Sequence, residues 1–229
     1  MEKHVRGAGD RRSFCSRLAF RPRSSGGGDG WLDEVLAEDR GAGMAFDFAS
    51  PAWGTGETLE MPAVADRHAV HFYSTDEGVV AAVADTFEAA IAGGESTLLV
   101  ATAEHRAGIE AELRRRGARL EQLQYHPFDA AETLESLLVN GVPDRRLFHA
   151  VVGTLVMKLV SEGPLSIYGE MVNLLWQRGD VMAAMRLEGL WNELGAGVDF
   201  SLLCGYRAGG ERDASLSERV SELHSHELP

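Results

Sequence analysis

Two cysteines occur in 229 residues, Cys15 and Cys204. One stands in a basic leader and the other inside an apolar run, so no disulfide framework follows. The absence of any Cys-x-x-Cys pair removes the commonest zinc spacing. No apolar run approaches the ~20 residues needed to cross a bilayer. The leader has no continuous apolar stretch of the kind a secretory signal requires. A reducing, cytoplasmic setting is the expectation. Also missing are a Gly-x-Ser-x-Gly elbow, a His-Glu-x-x-His pair, a Rossmann glycine fingerprint and any internal repeat.

A further absence carries the most information. Strand and helix alternate from His68 to Tyr206, which predicts an α/β fold. The first strand–turn–helix unit sits where a nucleotide-hydrolysing protein would place a glycine-rich loop and its lysine. The turn here reads Tyr73-Ser74-Thr75-Asp76-Glu77, with two carboxylates and no lysine. Carboxylates at that position repel phosphate.

Formal charge is −13, and it is unevenly spread. Residues 1–24 carry seven basic and two acidic side chains, so the remainder carries −18. A body that acidic excludes broad nucleic-acid binding by the globular part. Residues 1–65 contain Ser24-Ser25-Gly26-Gly27-Gly28 and recurrent glycines, and are expected to be a disordered or weakly structured extension. Residues 66–229 are expected to form the folded domain.

Within that domain, Ala69–Tyr73 reads as a strand. Ser74 and Glu77 form a capping-box pattern ahead of a helix through Val79, Val83 and Phe87. Thr97–Ala101 is a continuous apolar strand of the doubly buried type. Thr102 is placed to cap the next helix, which ends at Gly117. A weaker strand lies near Leu123–Phe128. Asp129 and Glu132 open a helix closed by Asn140-Gly141, and Pro143 starts another whose apolar face runs from Leu147 to Val160. Leu165–Tyr168 is a strand, followed by two helices hinged at Gly179-Asp180. Phe200–Tyr206 is the last strand, and a final helix spans about 213–225. The expectation is a three-layer, mostly parallel sheet of about five strands with helices on both faces.

Several blocks resemble the MEDS domain: His71-Phe72-Tyr73, Thr102–Arg106, Tyr168–Trp176, Leu187–Leu194, Phe200–Tyr206 and Leu223-His224-Ser225. MEDS is a sensory domain of methanogens and methylotrophs, found also in the repressor of a dichloromethane dehalogenase. The resemblance covers about residues 67–226. It implies a fold akin to the RecA/KaiC core without the nucleotide-hydrolysing motifs, and a sensory, non-catalytic role in signalling. Family members are often joined to a helix-turn-helix, kinase or phosphatase-type output module, and the first 65 residues show no paired short helices of the DNA-reading kind.

Ligands in open α/β sheets bind beyond the carboxyl ends of the strands. That rule puts Tyr73-Ser74, Thr102–His105, Phe128-Asp129, Gly169-Glu170 and Tyr206-Arg207 on one rim. Candidate ligand-binding residues are Tyr73, Ser74, Thr102, His105, Glu170 and Trp176, with no catalytic residue expected. Glu170 reads either as a ligand acceptor or as a carboxylate capping a neighbouring helix. His105 is either a titrating reporter or a surface helix residue. Trp176 and Trp191 read by default as core. His68 and His71 are expected on opposite strand faces, and His224 and His226 facing apart on a helix, so neither pair suggests a shared metal. Cys204 reads as a small buried hydrophobe. No cofactor or metal is expected, and no membrane contact.

Two other readings compete with a ligand- or partner-sensing domain. One is a degenerate nucleotide-binding protein. The other is a ligand-free adaptor in a sigma-factor or kinase pathway, for which a homodimer through an uncovered helix face is a further option.

Overall fold

A computed structural model describes residues 63–208 and 214–229. Nearly all of the expected N-terminal extension lies outside them.

The chain begins with strand β1 (His68–Tyr73) and helix α1 (Asp76–Ala92), then β2 (Ser96–Ala101) and α2 (Ala103–Arg115). Strand β3 (Tyr125–Asp129) and α3 (Ala130–Leu137) follow. A two-strand hairpin comes next, β4 (Leu138–Val139) and β5 (Val142–Pro143). Helix α4 occupies residues 145–162 as Arg145–Phe148, a π turn His149–Gly153, and Thr154–Glu162. After β6 (Leu165–Gly169) come α5 (Met171–Gln177) and α6 (Val181–Gly195). The chain ends with β7 (Ser201–Arg207), α7 (Ala214–Ser221) and β8 (His226–Leu228).

Six strands form one sheet in the order β3-β2-β6-β7-β1-β8, with every pairing parallel. The sixth strand is the main departure from the expected five. Its three residues, His226–Leu228, are too few to show an alternating pattern, and Ala69–His71 supply the edge they join. The final helix is correspondingly shorter than expected, and His224 and His226 lie beyond it.

Alternation along the strands sorts the core into two layers. Val70, Leu98, Val100, Ile167, Leu202, Cys204 and Tyr206 face α3 to α7. Ala69, Tyr73, Leu99, Ala101, Tyr168 and Leu203 face α1 and α2. Each fully buried aliphatic or aromatic side chain contributes about 1.5–3 kcal/mol. The three-layer architecture follows because a parallel sheet presents two apolar faces and both must be covered.

Three local expectations are corrected. Thr75, not Ser74, caps α1, accepting from the Gly78 amide at 3.1 Å, because Thr75 holds the extended backbone that an N-cap needs. Asn140-Gly141 does not merely end α3. With φ of 52° and 81° the pair makes the tight turn of the β4–β5 hairpin. Pro143 lies in β5, and Asp144 caps α4 by accepting from the amides of Arg146 and Leu147.

Candidate functional site

The direction in which the helices leave the sheet positions the site. After β1 and β2 the chain turns to the α1/α2 face, and after β6 and β7 it turns to the opposite face. Neighbouring strands β2 and β6 therefore part company at their carboxyl ends, as do β1 and β7. Such switch points leave a crevice above the strand ends. Tyr73, Thr102, Glu170 and Arg207 stand there.

Glu170 is fully buried directly after β6. Its Oε1 accepts the backbone N–H of Thr102, the N-cap of α2. Its Oε2 lies 2.6 Å from His105 Nδ1 and accepts from the Tyr168 hydroxyl at 3.3 Å. One oxygen of Glu170 thus meets a helix N-terminus, as the capping reading expects, and the other meets a titratable ring. His105 Nε2 lies 3.2 Å from Asp76 Oδ1. With a carboxylate at each ring nitrogen, His105 is built to carry both protons. Its hydrogen bond to Glu170 raises its pKa above the ordinary histidine value, and burial opposes that rise only in part.

The chain of charges continues outward. The Arg207 guanidinium donates to the same Asp76 oxygen. It also stands 5.3 Å from the centre of the Tyr73 ring, a cation–π arrangement. Asn173 locks the far side: its amide donates to the Tyr73 hydroxyl at 3.0 Å, and its carbonyl oxygen accepts the Arg207 backbone N–H at 3.0 Å. Burial, with the Glu170 charge adding to it, pushes the Tyr73 phenol up to about 12. Arg207, Asp76, His105 and Glu170 form an alternating row of charges across four strand ends. Asp76, expected only to repel phosphate, is its central link.

Beside this row, between α1 and α2, lies an open cleft of about 550 Å³. Its lining includes four carboxylates, Asp76, Glu77, Glu104 and Glu112, together with His105 and the apolar floor of Val80, Ala81 and Gly108.

The structure brings Tyr73, Thr102, His105 and Glu170 together. Ser74 is exposed in the turn before α1. Trp176 is on the other layer, edge-on to Tyr206 with 5.4 Å between ring centres. Asp76, Tyr168, Asn173 and Arg207 complete the network. A position immediately after a strand end flagged Arg207 as a rim residue, whereas nothing in the spacing marks Asn173, which is one polar residue in the apolar run of α5.

A parallel sheet covered on both faces, with an acidic turn where phosphate would sit, defines a three-layer α/β domain without a phosphate loop. The model of the MEDS family, described as the methanogen/methylotroph, DcmR sensory domain, matches residues 67–225. The chain belongs to this sensory-domain family. No curated protein and no solved structure is detectably similar to it. Among the described residues, no helix is long and apolar enough to cross a membrane.

Proposed function

We propose that this domain is a non-catalytic receiver in cytoplasmic signal transduction, and that its input is a small ligand bound at the strand rim. The observation that carries the reading is His105, whose ring joins Glu170 of the β6–α5 junction to Asp76 of α1. A ligand that competes for Asp76 or His105 breaks a link between the two faces of the sheet. It frees Arg207, which leads into the segment before α7. The acidic cleft favours a ligand with a positive or hydrogen-bond-donating head and a short apolar body. A triphosphate meets four carboxylates there. Kinship with a RecA/KaiC-type scaffold that has lost its grip on nucleotides fits this acidic turn.

Thermal-shift measurements with short-chain amines, alcohols and nucleotides test the reading. A ligand specific for the folded state must raise the melting temperature. The expected result is stabilisation by a small compound without phosphate, lost in His105→Gln and Asp76→Asn. Stabilisation by ATP in place of such a compound would overturn it.

One observation favours a second reading, docking of a signalling protein. The hairpin exposes Val139 and Val142, and Met182 at the start of α6 is 56% exposed. The β5 strand packs against α6, where Arg186 donates to the Pro143 carbonyl at 2.7 Å. If no small molecule stabilises the protein, this surface is the candidate input.

A further inference from the structure

A second polar cluster lies inside the domain, on the opposite face of the sheet from His105. His68 of β1, Glu188 of α6, Cys204 of β7 and His224 after α7 each turn a donor atom towards one point. All four are buried, Glu188 and Cys204 completely. None of them takes part in the rim network.

The donor atoms are spaced for one ion. His68 Nε2 lies 3.2 Å from Cys204 Sγ and 3.3 Å from Glu188 Oε2. Cys204 Sγ lies 3.5 Å from Glu188 Oε2, and His224 Nε2 lies 3.5 Å from Glu188 Oε1. A tetrahedral zinc ion with ordinary bond lengths has ligand–ligand edges of roughly 3.3–3.6 Å. The remaining edges are within 4.8 Å, so closing the shell takes about an ångström of side-chain approach. The two imidazoles are already packed with 4.1 Å between ring centres.

The outer groups orient the rings. Asn192 donates its amide to the Leu223 carbonyl at 3.0 Å, and its carbonyl oxygen accepts the Ala65 N–H at 3.1 Å. That fixes which end of Asn192 meets His68: Nδ1 of His68 donates to the Asn192 oxygen at 2.9 Å. His224 Nδ1 donates to the Val220 carbonyl at 2.7 Å. In both residues Nε2 then faces inward, where its lone pair binds metal once the ring is neutral. His224 Nε2 makes no hydrogen bond among the described residues although it is buried. Tyr206 donates to Glu188 Oε1 at 2.6 Å and completes the outer ring.

We infer that His68, Glu188, Cys204 and His224 form a closed binding site for a divalent transition metal, with the donor set of zinc. Two imidazoles, a thiolate and a carboxylate match zinc, and cobalt(II) as its spectroscopic substitute. On binding, the Cys204 thiol loses its proton to solvent and the sulfur bonds the metal, so one thiol proton is released per ion bound. Four protein ligands leave no open position, so the site is structural or metal-sensing. Its ligands tie β1, β7 and α6 to the turn that leads into β8, where the Ser225 N–H donates to the His68 carbonyl at 2.6 Å.

The full chain, stripped with chelator and titrated with Co²⁺, provides the test. Expected are visible d–d bands of tetrahedral intensity and a thiolate-to-cobalt charge-transfer band, saturating near one equivalent and displaced by Zn²⁺. The charge-transfer band should survive Cys15→Ser and vanish in Cys204→Ser. Substituting the outer groups, by Asn192→Ala or Tyr206→Phe, should weaken binding roughly 10–100-fold while the band persists. X-ray absorption on the zinc-loaded wild type should show a single sulfur in the inner shell, which decides the matter even if Cys204→Ser does not fold. A folded wild type with no charge-transfer band overturns the proposal. So does a band that disappears in Cys15→Ser or persists in Cys204→Ser.

Discussion

The ring of Tyr168 occupies the space that a side chain at Gly205 would need: a Cβ built there would stand 3.0 Å from Tyr168 Cζ. The missing side chain on β7 lets the neighbouring strand's tyrosine lie across it, and so brings the hydroxyl to 3.3 Å from Glu170 Oε2. A glycine on the floor of the sheet thus helps to place a hydrogen-bond donor for Glu170 at the rim.

Gly205→Ala should therefore destabilise the fold by about 1–3 kcal/mol through overpacking. Urea unfolding checks this, and Tyr168→Leu in the same chain should recover part of the loss. An alanine variant as stable as the wild type would show that Tyr168 does not depend on that space.

His105 sets a pH dependence. Its pKa is raised in the folded protein, so the folded state holds that proton more tightly than the unfolded chain. The resulting stability is fully present below the unfolded value of about 6.5 and is lost as pH rises through the folded value. The stability gap between wild type and His105→Gln should be widest near pH 5.5 and narrow towards pH 9, by urea unfolding at each pH. His105→Ala leaves buried Glu170 short of a donor and should cost roughly 2–4 kcal/mol at the acid end.

Thr75 and Ser74 are neighbours with different duties. Thr75→Ala removes the side-chain cap of α1 and should cost about 1 kcal/mol. Ser74→Ala, at an exposed position, should stay within about ±0.5 kcal/mol. Thermal melts of the two single variants distinguish them, and the reverse order would restore Ser74 as the cap.

Val139 and Val142 are 48% and 45% exposed on the hairpin. Replacing both with lysine should leave the melting temperature nearly unchanged while setting like charges against each other in any hairpin-to-hairpin contact, although the net charge itself falls in magnitude. Sedimentation velocity reads the second effect: a wild type that self-associates through this hairpin should become monomeric in the double variant. A large loss of stability would instead mean that the valines are covered.

Much of the architecture was legible because strands and helices announce themselves by period. Doubly buried strands such as Thr97–Ala101 read as unbroken apolar runs, and α1 repeats its apolar face at helical spacing. Caps at Thr102 and Asp129 were readable from residue type and stand as expected. The sixth strand was not legible, because three residues at a chain end have no pattern and gain their partner only from the edge of β1. The π turn in α4 was hidden for a related reason: its apolar spacing is compatible with an ordinary helix, and only packing selects the wider turn.

The rim divides in the same way. The rule that ligands sit past the strand ends marks Tyr73, Thr102, His105 and Glu170 from the sequence pattern. Asp76 was seen only as a neighbour hostile to phosphate, and its role as the link between Arg207 and His105 depends on two strand ends meeting.

From its residues alone the protein is settled as an alternating α/β chain of the MEDS family, with an acidic turn in place of a phosphate loop, since periodicity and residue type are local properties. Which polar groups meet is not local. His68 and His224 stand 156 positions apart in the chain, yet their rings pack at 4.1 Å around Glu188 and Cys204. Residues that look like unrelated buried polar positions in sequence become one cluster only when β1, α6, β7 and the C-terminal segment pack together. The parallel order of the sheet, a long-range property, brings those elements side by side.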